Sequence, residues 1–173
     1  MIRIDTPIHL SVIKNLKMGD EIELYGKIYA GRDAVLPKIC LLIREGRLKE
    51  LKADLSGGVI FHTAVTAAGI GPTTSGKVEI EGSIPLLSRA GVKMHLGKGA
   101  LKPETIKELQ RWNSIYAVTP PVSAVFHRAL KGKRIIAFPE EGMEAFFELT
   151  VEKLPAIVAI AHGKSIFSKF QKA

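Results

Sequence analysis

The sequence has a single cysteine, few aromatic residues (6%) and no apolar run long enough to cross a membrane. One thiol excludes an internal disulfide and cannot by itself hold a zinc or iron–sulfur site. Cys40 lies in the apolar segment 39–42, which predicts a buried structural thiol rather than a nucleophile. A membrane helix needs about 20 apolar residues, and the first residues lack the apolar segment of a secretory signal. We therefore expect a cytoplasmic protein without a membrane partner.

The charge is basic, with 25 lysine and arginine residues against 17 acidic residues and a net charge of +8. A basic chain suits a nucleic acid, an acidic partner or an anionic substrate. The cations are dispersed, apart from residues 131–134 and the last residues, and no helix-turn-helix, zinc or RNP motif accompanies them. Solvated faces are the ordinary interpretation of such clusters, so we expect no nucleic-acid partner.

Strand and helix patterns alternate through the middle of the chain. Polar and apolar residues alternate over residues 21–29, and short strand patterns cover 58–62, 92–96 and 115–118. A short helical pattern covers residues 84–89, and Pro103 opens another. This order predicts an α/β fold with parallel pairing and helical crossovers. A hairpin-like start and a strand-rich end, with separate strands at 145–151 and 157–161, predict an added antiparallel sheet. No linker divides the chain, so we expect a single domain over residues 1–167 and a basic tail at 168–173.

Glycine-rich or polar loops follow three of the predicted strands, at residues 31–33, 71–77 and 97–99. The second loop combines tight-turning glycines with hydroxyls and an ammonium group, a combination that suits a carboxylate or phosphate. An ordinary polar turn with a surface lysine explains its spacing equally well. Ligands gather outside the carboxyl ends of parallel strands, so the three loops would converge on one anion if their strands are neighbours. Asp33 is predicted to cap the helix that follows the first loop.

Five segments in this order resemble the β subunit, or equivalent C-terminal domain, of class I iron–sulfur fumarases and L(+)-tartrate dehydratases: residues 26–33, 58–62, 71–74, 97–99 and 139–145. The resemblance implies a swivelling β/β/α three-layer domain, with a parallel central sheet, an antiparallel sheet and a helical layer. It also implies that a partner α subunit holds a 4Fe–4S cluster, and that this chain binds neither a cofactor nor a metal.

The reaction implied is the reversible addition of water to a double bond between two carboxylates, with activity only in the presence of the α subunit. Fumarate and L-malate are the first substrate pair, and the conversion of tartrate to oxaloacetate is the alternative within the same chemistry. A divergent, non-catalytic module that binds a dicarboxylate or assembles with a partner is a further alternative. The sequence leaves open whether the isolated chain forms a homo-oligomer.

By resemblance, Thr73 is the candidate base, and Arg32 and Lys98 complete the catalytic set. A threonine hydroxyl is a poor base unless positive charge stabilises its alkoxide, so this role requires one of the two cations nearby. Arg32 would grip a carboxylate through two hydrogen bonds, whereas Lys98 would act as a point charge. Without the resemblance, a surface ion pair and a solvated turn lysine are their ordinary interpretations.

The residues implied in substrate binding lie mostly in the second loop: Gly71, Thr74, Ser75, Lys77 and, outside the loop, His62. Lys77 stands where the family usually has arginine, and segments 62–65 and 119–121 also depart from the family pattern. A hydrogen-bonded structural role is at least as well supported for His62 as a role at the site. We expect His127 and His162 to lie on the surface.

Overall fold

The computed structural model describes residues 1–73 and 77–169, with the side chains at 72–80 and 169 left out of the description. Its strands are β1 Ile2–Asp5, β2 Glu21–Gly31, β3 Val59–Thr66, β4 Gly69–Thr73, β5 Met94–Gly97, β6 Ile115–Val118, β7 Leu130–Ala137, β8 Phe146–Ala161 and β9 Lys164–Ser165. Its α-helices are α1 Leu10–Asn15, α2 Leu36–Arg44, α3 Lys77–Arg89, α4 Pro103–Arg111 and α5 Ser123–Ala129. Short 3-10 helices cover Leu48–Leu51, Pro139–Glu144 and Ile166–Lys169. None of the described helices has the length and hydropathy of a bilayer-spanning segment.

The predicted parallel pairing is confirmed, because β2, β3, β5 and β6 are consecutive neighbours and all run in the same direction. Gly31 at the end of β2 lies opposite His62 of β3, and Phe61 of β3 lies opposite Leu96 of β5. Gly97 at the end of β5 lies opposite Val118. The carboxyl ends of these strands therefore meet at one edge of the sheet.

The expected second, antiparallel sheet is wrong, because the antiparallel strands join the same sheet. β8 is a single strand of 16 residues that pairs with β2 along one edge and with β7 and then β6 along the other. This pairing of β8 with both β2 and β6 closes the sheet on itself. Two separate strands were predicted at 145–151 and 157–161, but Pro155 does not end β8. Residues 152–156 lie between the β7 and β6 pairings, where a missing N–H is tolerated.

Apolar side chains fill both faces of the closed sheet. The inner cluster joins strand residues such as Leu24, Phe61 and Leu96 to Phe126 of α5. Two further clusters lie on the opposite face, under α2, α3 and α4; they include Ile39, Ile60, Ile84, Leu87, Leu109 and Tyr116. Because successive strand side chains point to opposite faces, His62 and His95 share the helix-covered face with Ile60. Cys40 is buried, as predicted, and burial raises the pKa of its thiol.

Three local expectations are wrong. Residues 59–73 form a hairpin in which β4 runs antiparallel to β3, so the loop at 71–77 does not follow a parallel strand. The turn uses Gly69 at φ +128°, a value that favours glycine. Helix α3 begins at Lys77 rather than Ile84, and α2 is capped by Val35 without a side-chain hydrogen bond rather than by Asp33. The last four residues of the predicted tail, 170–173, lie outside the described residues.

Candidate functional site

Two predicted site residues follow the ends of the two parallel strands that flank β3 in the sheet. Arg32 comes directly after β2 and Lys98 directly after β5, and β3 lies between these two strands in the sheet. His62 occupies the position of β3 that lies opposite Gly31. The sequence required the strands that lead to all three loops to be neighbours. This condition is met only in part, because β2 and β5 both neighbour β3, whereas the second loop follows β4, the antiparallel partner of β3.

The second loop reaches the same edge through the β3–β4 hairpin. The backbone of Thr73 lies opposite Thr63, the residue after His62. Thr63 Oγ1 donates a hydrogen bond of 2.8 Å to the Gly71 carbonyl, and a Cβ at Gly71 would come within 3.0 Å of the Ala64 oxygen. Gly71 is thus needed for close pairing of the hairpin. Thr74 and Ser75 lie outside the described residues, as do the side chains of Thr73 and Lys77.

The turn that carries Lys98 also depends on glycine. A Cβ at Gly97 would lie 2.7 Å from the Oη of Tyr116, a side chain that is buried under α3 and α4. Gly99 adopts a φ of +79°, in the left-handed region that glycine enters without strain. Close packing behind the turn and a left-handed residue after Lys98 hold this exposed lysine at the end of β5.

Lys98 and Gly71 line a cleft of about 940 Å³ between the β3–β4 hairpin and α5. Its other walls are contributed mainly by the start of α5 and the residues before it, among them Thr119, Ser123 and His127. The sequence assigned His127 to the surface, where it is indeed exposed, but its place on the cleft wall was missed. The available signal was the spacing of Ser123 and His127, which puts both on one face of a helix.

Arg32 lies outside this cleft and is engaged by an acidic segment. Its Nε donates to Oε1 of Glu144, and the Arg32 side chain is only 18% exposed. Nearby, Lys38 Nζ lies 2.6 Å from Glu141 Oε1 and 3.5 Å from Glu140 Oε1. These glutamates belong to residues 139–145, one of the five segments that carried the resemblance. Among the described residues, the two terminal nitrogens of Arg32 have no hydrogen-bond partner.

The residue after Arg32 holds an unpaired acceptor. Oδ1 of Asp33 is buried and finds no hydrogen-bond partner among the described residues. The carboxylate does not cap α2, the role expected from the sequence. Unpaired buried polar atoms are uncommon, because losing hydration without a replacement costs about 1–3 kcal/mol. The strand-end region therefore has an acceptor without a partner among the described residues.

His62 lies deep beneath this edge rather than in the cleft. The ring is 1% exposed, and its Nε2 lies 3.1 Å from Nδ1 of His95. The Nε2 of His95 lies 2.9 Å from the Oγ of Ser88 on α3. Burial lowers the pKa of His62 to about 3, so its ring is neutral at pH 7. His95 thus faces His62 within the protein.

The side chains of this chain do not fit a 4Fe–4S cluster. Such a cluster takes about four cysteine thiolates, and the sequence supplies one cysteine, buried under α3 with its Sγ 3.9 Å from the Ser83 carbonyl oxygen. The described residues also contain no group of three or more histidine, cysteine, aspartate or glutamate side chains arranged to hold a metal ion.

The whole chain is similar to proteins of one enzyme group. A protein of Methanocaldococcus jannaschii, provisionally named L(+)-tartrate dehydratase subunit beta, is 31% identical over 175 residues, which cover 92% of this chain and 88% of that protein. The L(+)-tartrate dehydratase subunit beta of Escherichia coli K12 is 29% identical, with coverages of 96% and 87%. The anaerobic class I fumarate hydratase of the same organism is 28% identical over 87% of this chain, but this match spans only 29% of that enzyme.

A family model gives the same result over nearly the full length. The model described as Fumarase C-terminus matches residues 1–170, which include both parallel-strand loops, the β3–β4 hairpin and the acidic segment that holds Arg32. The chain therefore belongs to the Fumarase C-terminus family.

Proposed function

We propose that this chain is the β subunit of a hydro-lyase that reversibly adds water to a carbon–carbon double bond between two carboxylates, with fumarate and L-malate as the first substrate pair. The observation that carries this proposal is the placement of Arg32 and Lys98 after two parallel strands that flank β3, beside the hairpin that leads to Thr73. Membership of a family whose members include class I fumarate hydratases supports the choice of reaction.

The chemistry explains why cations belong at this edge. Removing a proton from the carbon beside a carboxylate sends negative charge into that carboxylate in the transition state. Fixed cations and N–H donors that meet this charge lower the barrier, by roughly 3 kcal/mol for each well-placed contact. In this proposal Lys98, which lines the cleft, pairs with one carboxylate of the substrate. The terminal nitrogens of Arg32 bind a substrate carboxylate, while Glu144 holds the Nε of Arg32 in place.

Thr73 is the proposed base, a role implied by the resemblance. Its backbone ends β4 opposite Thr63, the residue after His62. Its alkoxide needs positive charge, and Lys98 at the end of β5 is the proposed source. Gly71, Thr74, Ser75 and Lys77 are proposed to bind substrate through backbone N–H groups, hydroxyls and an ammonium.

The proposal includes a partner. Because one cysteine cannot hold a 4Fe–4S cluster, we place the cluster on an α subunit, with the active site formed where the two subunits meet. We place the complex in the cytoplasm. In this proposal residues 1–167 form one domain, in which the closed sheet takes the place of the two separate sheets expected from the resemblance and the outer helices form the helical layer.

Tartrate dehydration is the second candidate, and one observation favours it. Relatives that this chain matches over most of their own length, such as those of Methanocaldococcus jannaschii and Escherichia coli K12, are named L(+)-tartrate dehydratase subunit beta, provisionally in the first case. The class I fumarate hydratases, by contrast, are longer proteins of which this chain spans about a third. Malate and tartrate differ by one hydroxyl group, so a direct comparison of substrates must decide between them.

The test is anaerobic reconstitution of the chain with its α subunit, followed by assays with fumarate, L-malate and L(+)-tartrate. We expect turnover of at least one substrate, and we expect Thr73→Ala to lower kcat by at least about 100-fold, as loss of a proton-transfer group does. Thr150→Ala, an exposed threonine on β8, is the matched control and should keep full activity. A complex with an intact cluster that turns over none of the three would instead favour the non-catalytic module. Full activity of Thr73→Ala would remove Thr73 from the mechanism.

A further inference from the structure

Three buried polar side chains from three elements form a continuous hydrogen-bonded chain. His62 of β3, His95 of β5 and Ser88 of α3 are exposed by 1%, 0% and 2%. The distance from His62 Nε2 to His95 Nδ1 is 3.1 Å, and that from His95 Nε2 to Ser88 Oγ is 2.9 Å. We call these three residues the histidine relay. The proposed mechanism gives no role to His95 or Ser88.

Both rings of the relay are neutral at pH 7. Burial lowers the pKa of His62 to about 3, and burial together with the neighbouring His62 lowers the pKa of His95 well below its ordinary value. A neutral imidazole has one N–H donor and one lone-pair acceptor. Because each hydrogen bond needs one of each, only two proton arrangements are consistent with the observed distances.

The two arrangements differ in the number of buried groups they leave unpaired. In the first, the Ser88 hydroxyl donates to His95 Nε2, His95 Nδ1–H donates to His62 Nε2, and His62 carries its hydrogen on Nδ1. In the second, every bond is reversed, and the Ser88 hydroxyl needs another acceptor. The described residues offer Ser88 Oγ no partner besides His95. Among the described residues, the first arrangement leaves one group unpaired, the His62 Nδ1–H, whereas the second leaves two, so the first is favoured.

The open end of the relay lies at the edge that carries the proposed site. His62 Nδ1 is buried and has no hydrogen-bond partner among the described residues. His62 lies opposite Gly31, the residue before Arg32, and the preceding Phe61 lies opposite Leu96, two residues before Lys98. A buried N–H that finds no acceptor among the described residues therefore lies between the chain positions of Arg32 and Lys98.

We propose that His62 Nδ1–H donates a hydrogen bond to a carboxylate oxygen of the bound dicarboxylate, and that His95 and Ser88 are positioning residues that keep His62 in this tautomer. This inference rests on the proposed function. A carboxylate can only accept hydrogen bonds, so it matches an N–H end of the relay and not a lone-pair end. The aligned donors strengthen one another in a site shielded from water, and they do so without a net charge.

Ser88→Ala tests the relay through steady-state kinetics of the reconstituted complex. Without the hydroxyl donor, both tautomers of the relay become comparable in energy, and the His62 donor is lost in part of the molecules. We expect KM for the dicarboxylate to rise about five- to tenfold, as for loss of a hydrogen bond to a charged group, with a smaller change in kcat. Ser88→Thr keeps a hydroxyl and should restore most of the affinity.

Ser114→Ala is the matched control. Ser114 is also 2% exposed, and its hydroxyl donates to the Val92 carbonyl at 3.0 Å. It precedes β6, at the opposite edge of the sheet from the site. Its loss should lower stability without changing KM. If Ser88→Ala and Ser114→Ala give the same KM as wild type, the relay is purely structural and the inference is wrong.

The tautomer can be measured without turnover. Nitrogen NMR of the full chain labelled at histidine, with the His62 signals identified by their loss in His62→Asn, should show a neutral ring protonated at Nδ1. A ring protonated at Nε2 would overturn the proton arrangement. If the wild-type complex neither binds nor turns over any of the dicarboxylates, the proposed function is wrong. The proposed contact between His62 and the ligand is then wrong as well. Normal wild-type turnover with an unchanged KM in Ser88→Ala would defeat this inference alone.

Discussion

At the scale of single residues, the two buried histidines connect the site to the stability of the fold. The unfolded chain gains protons on His62 and His95 as the pH falls below about 6.5, whereas the folded chain keeps both rings neutral. The unfolded state therefore binds more protons in this range, and stability falls as the pH decreases from about 6.5 toward 3. Above about pH 6.5 the two histidine rings are neutral in both states, so they no longer change the free energy of unfolding.

We expect the free energy of unfolding to fall by about 1.4 kcal/mol for each buried histidine between pH 7.5 and pH 5.5. Urea unfolding at the two pH values measures this loss. His62→Asn should reduce the difference by about half, because it removes one of the two rings, whatever its effect on absolute stability. His9→Asn, at an exposed histidine, should leave the difference as in wild type. An undiminished loss in His62→Asn would show that His62 is not the group responsible.

At the scale of elements, glycines set how closely helices approach the sheet. A Cβ at Gly31, the last residue of β2, would lie 2.8 Å from Val35 Cγ2 and 3.1 Å from Phe146 Cδ2, and both of these side chains are fully buried. Gly82 in α3 has nothing within 4 Å of the same position. The same substitution should therefore have opposite effects at these two glycines.

Gly31→Ala should destabilise the fold by about 1–3 kcal/mol through overpacking. Gly82→Ala should stabilise it by about 0.5–1 kcal/mol, because alanine restricts the unfolded chain and suits an exposed helix position. Thermal or urea unfolding of the two single variants beside wild type measures both. Equal effects of the two substitutions would contradict the packing described for the end of β2.

The elements that the sequence predicts well are those with a strong local signal. Pro103 starts α4 and residues 115–118 form β6, as expected from a proline at a helix start and a short apolar run. The start of α3 was missed because polar residues and a glycine interrupt any apolar stripe in its first turns: Lys77, Glu79, Glu81 and Gly82. The continuity of β8 through Pro155 was missed because it depends on which neighbours flank each part of the strand.

For the candidate site, the sequence predicts the strand-end positions of residues but not the long-range contacts between side chains. The strand-end positions of Arg32 and Lys98 followed from the order of strands and loops. Arg32 and Glu144 are 112 positions apart in the sequence, so no local sequence pattern predicts their contact. The pairing of His62 with His95 depends on the register of β3 and β5, because only the register puts both rings on one face at hydrogen-bond distance.

At the scale of the whole molecule, the proposed activity belongs to a complex. We expect the purified chain alone to show no hydration of fumarate and no dehydration of L-malate or tartrate, because its residues do not fit the cluster expected of this enzyme class. Addition of the cluster-loaded α subunit should restore turnover, measured by the ultraviolet absorbance of fumarate or by formation of oxaloacetate. The α subunit alone is the control. Turnover by the isolated chain would contradict the division of roles between the subunits.

The way in which β8 closes the sheet has a consequence for the protein during its synthesis. β2 leaves the ribosome early, but the strand that covers one of its edges lies near the far end of the chain. Until that strand is made, β2 has an open edge that other nascent or unfolded chains can pair with. Pairing of strands so distant in sequence also slows folding. The yield of folded protein in a cell should therefore depend strongly on temperature, translation rate and chaperone supply. This dependence should exceed what the stability of the folded protein alone would predict.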